Sequence, residues 1–257
     1  MTGRLPAFII GGAPRSGTTW LARALDRHPD IWLARPLRPE PKFFLVDDLY
    51  AGGLPSYSAR WFDPAPPVPV LGEKSTNYLE SPAAARRIGA DLPHVKMIFA
   101  LRDPADRAVS NYRFSVMNGL EDVDLATALA LEEQRDATVA PERKYARPHA
   151  YFSRGCYARL LRPYFEHLPA EQLLCVRFED MIGDASETIA GIHSFLGVKP
   201  RPDLVGDLPV INASAADIEI PADTVAQLRR AYAPRNDELG SMLGSSFRLW
   251  DAEEART

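Results

Sequence analysis

The chain has 257 residues, 46% hydrophobic and 25% charged, with 30 Lys and Arg against 34 Asp and Glu for a net charge of −4. That length fits one α/β domain with a substantial core, and its composition excludes a disordered or fibrous protein. The acidic balance excludes nucleic acid as the main partner and leaves room for a small anionic ligand in a locally basic cleft.

Taken in order, Phe8–Gly12 reads as a short apolar strand buried on both faces, as in a parallel sheet. A Gly-rich turn follows, and then a helix over Thr18–Arg27. Ile31–Ala34 is a second strand, after which Pro36, Pro39 and Pro41 force a loop carrying Glu40 and Lys42. Gly52–Pro69 reads as loop with a short helix, and Val70–Ser75 as a strand. Ser81-Pro82 and Asp103-Pro104 are both N-caps with proline at the first helical position; the second helix runs to about Met117. Between them Val95–Leu101 is the clearest core strand.

Asn118–Tyr151 is the least regular section, with one helix over Leu125–Gln134 and a polar run holding Arg143, Lys144 and Arg147. Helix over Arg154–His167, strand over Leu173–Arg177 and helix over Glu187–Leu196 follow, the last ending at Gly197. Pro200–Pro221 is Pro-rich loop, and two C-terminal helices follow, around Asp223–Tyr232 and Asp237–Leu243. Alternating strands and helices predict a doubly wound parallel sheet flanked by helices, in one domain spanning 1–257.

The turn Gly12-Ala13-Pro14-Arg15-Ser16-Gly17 between strand and helix has the geometry of a phosphate cradle, with backbone N–H groups and a helix N-terminus aimed at an anion. Its Gly-x4-Gly spacing is that of a nucleotide-binding P-loop. Thr18-Thr19 stands where a triphosphatase carries Lys then Ser or Thr, and Arg15 is the loop's one cation. In a parallel sheet, ligands bind beyond the carboxyl ends of the strands. Arg15, Lys42, Lys74 and Arg102 all fall at such ends, which predicts a ligand with several negative charges. Two isolated cysteines, Cys156 and Cys175, with no signal peptide or apolar span, predict a cytoplasmic protein with no membrane span, and no His/Cys cluster suggests a metal.

The loop is built to hold a phosphate and lacks the triphosphate lysine; a small-molecule or nucleotide kinase with a degenerate P-loop using Asp103 for magnesium and a non-catalytic nucleotide-binding protein are two readings of it. Pro14–Leu21 resembles the 5′-phosphosulfate loop of sulfotransferases that use 3′-phosphoadenosine 5′-phosphosulfate (PAPS), and Ala100–Tyr112, with Arg102 and Ser110 eight residues apart, resembles that family's 3′-phosphate motif. Glu40-Pro41-Lys42-Phe43-Phe44 and Glu73–Tyr78 are similar to segments of its carbohydrate, heparan-type branch, and Arg154–Tyr157, Leu173–Asp180 and Ala233–Leu239 to later blocks.

The resemblance implies sulfuryl transfer from PAPS to a hydroxyl or amine of a small-molecule or carbohydrate acceptor, releasing 3′-phosphoadenosine 5′-phosphate (PAP), without a metal. It implies Glu40 as the base, Arg15 and Lys74 as catalytic cations, and Arg15, Ser16, Gly17, Thr18, Thr19, Trp20, Arg102, Ser110 and Tyr157 as the nucleotide site. The chain departs from the family at Lys42, where His is frequent, at Pro39, where Lys is frequent, and in Val210–Ile220, which lacks the cations of the family's C-terminal loop.

Overall fold

All five residues of the strand Phe8–Gly12 are buried, as an apolar run without alternation requires of a parallel strand covered on both faces. In the computed structural model, which describes residues 3–139, 147–206, 208 and 218–250, the elements follow in chain order. They are β1 (Phe8–Gly12), α1 (Thr18–Leu25), β2 (Ile31–Leu33), α2 (Asp47–Ala51), α3 (Gly53–Trp61), β3 (Val70–Lys74), α4 (Pro82–Asp91), β4 (Lys96–Leu101), α5 (Pro104–Met117), α6 (Leu125–Thr138), α7 (Tyr157–His167), β5 (Leu173–Arg177), α8 (Phe178–Gly183), α9 (Ala185–Leu196) and α10 (Ala222–Leu243). The chain clusters into two compact units, Met1–Leu101 with Arg162–Ile211, and Arg102–Leu161 with Asn212–Thr257.

The first unit holds the sheet, five parallel strands in the order β2-β3-β1-β4-β5. The predicted parallel sheet is therefore present. Ile10 lies opposite Lys74 of β3, and Leu101 opposite Arg177 of β5. β1 and β4 are neighbours whose following strands lie on opposite sides of them, and the crevice beyond such a pair is where ligands enter this class of sheet. On one face, Phe8, Ile10, Ile98 and Ala100 pack with Leu21 and Leu25 of α1 and Ile189 and Ile192 of α9. On the other, the ring of Phe99 meets that of Tyr164 edge-on with centroids 4.8 Å apart. The predicted N-cap at Ser81 is present, its hydroxyl accepting the N–H of Ala84 at 3.1 Å. Gly197, at φ 81°, closes α9 in the left-handed conformation that glycine adopts without a Cβ clash.

In the second unit, Asp103 caps α5 by accepting the N–H of Asp106 at 2.9 Å. The side chains Ala105, Ala108, Tyr112, Leu125, Ala128, Tyr151, Leu228 and Tyr232 form its core. The carboxylate of Glu132 accepts the N–H groups of Tyr151, Phe152 and Ser153 at 2.6–2.9 Å, fixing the turn that precedes α7.

Two expectations need correction. The C-terminal pair of helices is one helix, α10, with Pro234 inside it. Proline removes a single ladder hydrogen bond and crowds one carbonyl, whereas Leu228, Tyr232 and Leu239 lie buried along one side of α10 and hold it across the interruption. The helix expected from Arg154 begins at Tyr157, because Ser153–Gly155 forms a separate 3-10 turn. Cys156 and Cys175 are free thiols. Arg143, Lys144 and most of the Val210–Ile220 loop lie outside the described residues.

Candidate active site

The cradle follows β1. Gly17, the N-cap residue of α1, has φ 74°, and a Cβ there would lie 2.8 Å from the ring of Phe178, so both conformation and space call for glycine. Among the described residues no side chain caps α1, and its first turn carries no acid, so the amides of that turn keep the positive helix end for an outside anion. Thr18 and Thr19 are buried, and the Oγ of Ser16, wholly buried, has no hydrogen-bond partner among the described residues. A buried hydroxyl in that state is costly unless a ligand completes it. Arg15 holds φ 71°, unusual for a residue with a Cβ and typical of strain retained at ligand sites.

Beyond β2, Arg38 extends its guanidinium so that Nη2 donates to Thr19 Oγ1 at 3.3 Å. Two residues later, Glu40 reaches the end of β3. Lys74 Nζ donates to Glu40 Oε1, and the two form an ion pair. Thr76 adds its backbone N–H to Glu40 Oε2 at 3.0 Å and its hydroxyl to both carboxylate oxygens at 3.1–3.2 Å. The Lys74 side chain is nearly inaccessible, whereas Glu40 keeps 12% of its side chain in contact with solvent. Glu40 is therefore oriented by three donors and still reachable. Lys74 takes Glu40 as its partner in preference to Glu73 or Glu80, the alternatives nearest in sequence.

The loop carrying Glu40 is fixed from below. Lys42, at φ 52°, donates its N–H to Ser75 Oγ at 2.9 Å, and Phe44 donates its N–H to Tyr78 Oη at 3.1 Å. Phe43 stacks on Tyr57 with ring centroids 4.4 Å apart. Tyr57 Oη donates to Glu73 Oε2 at 2.5 Å inside this aromatic cluster. Full burial there pushes the Glu73 carboxyl up to about 7, against the opposing pull of the Tyr57, Tyr78 and Ser75 hydroxyls.

The second unit carries the remaining candidates. Ser110 is buried in α5. Tyr157 Oη donates to the carbonyl of Arg102 at 2.8 Å and accepts that residue's N–H at 3.4 Å, so Tyr157 fixes the backbone from which the Arg102 side chain departs. Asp106 pairs with Arg229 at 2.8 Å. Arg107, inside the same motif, is wholly buried and donates to the carbonyl of Tyr151, a structural role.

Sequence reasoning missed Arg38 and Thr76. Arg38 satisfies the criterion that selected Lys42, a cation just past a strand end. Thr76 was within a quoted segment, but only the folded chain brings it to Glu40.

A five-stranded parallel sheet with an anion cradle between its first strand and first helix defines the class of P-loop-like α/β proteins. The sulfotransferase domain profile matches residues 5–208, and the chain belongs to that family. It is 27% identical over 277 residues to human heparan sulfate glucosamine 3-O-sulfotransferase 3B1, covering 96% of this chain and 65% of that protein. It is 30% identical over 204 residues to human bifunctional heparan sulfate N-deacetylase/N-sulfotransferase 3, covering 77% of this chain and 23% of that one. The chain thus spans less than two thirds of the length of either relative. A sulfotransferase crystal structure from Alicyclobacillus acidocaldarius superposes with a TM-score of 0.74 at 27% identity, over 93% of this chain and 96% of that one.

Proposed function

We propose that this protein transfers a sulfuryl group from PAPS to a hydroxyl or amine of a carbohydrate acceptor. The observation that carries the reading is the continuity between cradle and carboxylate. Arg38 contacts Thr19 at the start of α1, and two residues on, Glu40 is clamped by Lys74 and Thr76. A binding-only protein has no need of a reachable carboxylate oriented by three donors. The names of the two human relatives, a heparan sulfate O-sulfotransferase and an N-sulfotransferase, support a sugar acceptor and both acceptor atoms. Asp103, the carboxylate a kinase reading would use, is engaged as the N-cap of α5.

The donor supplies the sulfuryl group and departs as PAP. The first-turn amides of α1, the buried hydroxyl of Ser16 and the cation Arg15 suit its 5′-phosphate and the charge that develops as the S–O bond breaks. Glu40 takes the proton of the attacking hydroxyl or amine, so that proton loss accompanies formation of the new bond to sulfur. Lys74 orients Glu40 through the ion pair between them. Arg102, with its backbone set by Tyr157, and Ser110 are assigned to the 3′-phosphate. Cytoplasmic residence belongs to the same proposal and is supported by the two free thiols.

Titration calorimetry tests the donor. PAP should bind clearly more tightly than AMP, and Arg102→Ala should remove that preference. Equal affinity of the unaltered protein for PAP and AMP refutes the assignment.

A further inference from the structure

We propose that Arg38 is a further catalytic residue, a guanidinium that lies against the donor's sulfuryl group and meets the charge on its oxygens during transfer. The inference rests on the reading of the cradle as the PAPS site and of Glu40 as the base. Its ground is a juxtaposition across the sheet. Arg38 leaves the loop after β2, and its Nη2 donates to the hydroxyl of Thr19, the second residue of α1, at 3.3 Å. In the sheet, β3 stands between β2 and β1. A side chain that joins the loop after β2 to the helix after β1 therefore passes across the carboxyl end of β3, where Lys74 and Thr76 hold Glu40. The sulfur belongs in that same interval, because it travels from the phosphate in the cradle to an acceptor atom within reach of Glu40.

Charge balance points the same way. Arg35, three residues earlier on this loop, pairs with Asp26. Among the described residues Arg38 takes no carboxylate, and its one side-chain hydrogen bond is that to Thr19. Glu40, the acid nearest to it in sequence, is engaged by Lys74 and Thr76. A cation beside the positive end of a helix is unfavourable by itself, and the first turn of α1 supplies no acid to offset it. An anion in the cradle reverses the sign of that interaction. A guanidinium carries five N–H donors in a planar fork, of which Thr19 uses one. The others suit two oxygens of a sulfuryl group.

In the transfer, the bond from sulfur to the bridging oxygen breaks, and its electron pair stays on the 5′-phosphate of PAP. The new bond joins sulfur to the acceptor oxygen or nitrogen, whose proton passes to Glu40. The sulfuryl oxygens that Arg38 meets are present in PAPS and in the transition state and absent from PAP. Arg38 should therefore tell the two nucleotides apart, which an arginine serving only the loop's solubility would not.

The test titrates PAPS and PAP separately, without acceptor, into the unaltered protein, Arg38→Ala and Arg38→Lys, and measures turnover with PAPS and a heparan-type oligosaccharide. Arg38 is exposed, so its truncation leaves the core intact. In Arg38→Ala, affinity for PAPS should fall by about tenfold and affinity for PAP by less than about twofold. Its kcat should fall by about 100-fold, the loss expected when one donor to a developing charge is removed. Arg38→Lys keeps the charge without the fork and should recover part of kcat. Equal weakening of both nucleotides would place Arg38 on the 5′-phosphate and overturn the proposal, and so would a kcat equal to that of the unaltered protein. Undiminished turnover in Glu40→Gln would overturn the base assignment, and the comparison of PAPS with PAP would still decide the role of Arg38. Failure of the unaltered protein to bind either nucleotide would overturn the donor reading and this proposal with it, before any substitution is made.

Discussion

Burial of Glu73 predicts a stability that falls as pH rises, and this is measurable without any knowledge of the substrate. The side chain is inaccessible and its carboxyl stands at about 7 in the folded chain against 4.5 for the exposed group. The folded state therefore holds this proton more tightly than the unfolded state does. The favourable contribution is fully present below pH 4.5 and is lost as pH rises through about 7. The difference amounts to about 3 kcal/mol between the two limits. Glu73→Gln removes the ionisable group and hence the dependence. The free-energy difference between variant and unaltered protein should move by about 3 kcal/mol in favour of the variant between pH 4.5 and pH 8. For a chain of this size that corresponds to on the order of 10 °C in the difference of melting temperatures. Urea unfolding of both proteins across this range is the assay, with other titrating groups cancelling in the comparison. A difference independent of pH would refute the reasoning, because it would mean that Glu73 is solvated or stays ionised in the folded protein.

Glu40→Gln removes proton acceptance and should lower turnover by roughly 100-fold with PAP affinity unchanged; it also leaves the buried ammonium of Lys74 without its counter-ion, at a cost of about 3 kcal/mol in a denaturation curve. Gly17→Ala adds a Cβ at φ 74° and 2.8 Å from Phe178, so PAP binding should be lost in calorimetry and stability should drop by about 2 kcal/mol. Tyr157→Phe removes the hydroxyl that holds the backbone of Arg102, and PAP affinity should weaken by about tenfold while AMP affinity stays the same.

The sequence by itself determined the elements whose cause is local. Buried parallel strands appear as unbroken apolar runs, so Phe8–Gly12 and the strand ending at Leu101 were legible to within a residue. Caps are set by neighbours three residues apart, so Ser81 and Asp103 were legible too. The cradle needs a strand, a Gly-rich turn and a helix in immediate succession, all of which lie within Phe8–Leu25. Where the sequence reads as two C-terminal helices, one helix runs through Pro234, because side chains buried along α10 outweigh the local penalty of the proline.

Only the tertiary structure decided which charged groups meet. Glu40 lies 34 residues from Lys74 and 36 from Thr76, and the pairing exists because β2 and β3 are adjacent parallel strands that release their loops on the same edge. The contact of Arg38 with Thr19 likewise joins a loop after β2 to the helix after β1, 19 residues apart in sequence. Composition and spacing carry no term for such distances along the chain, whereas the energy of a buried charge depends entirely on what surrounds it in space.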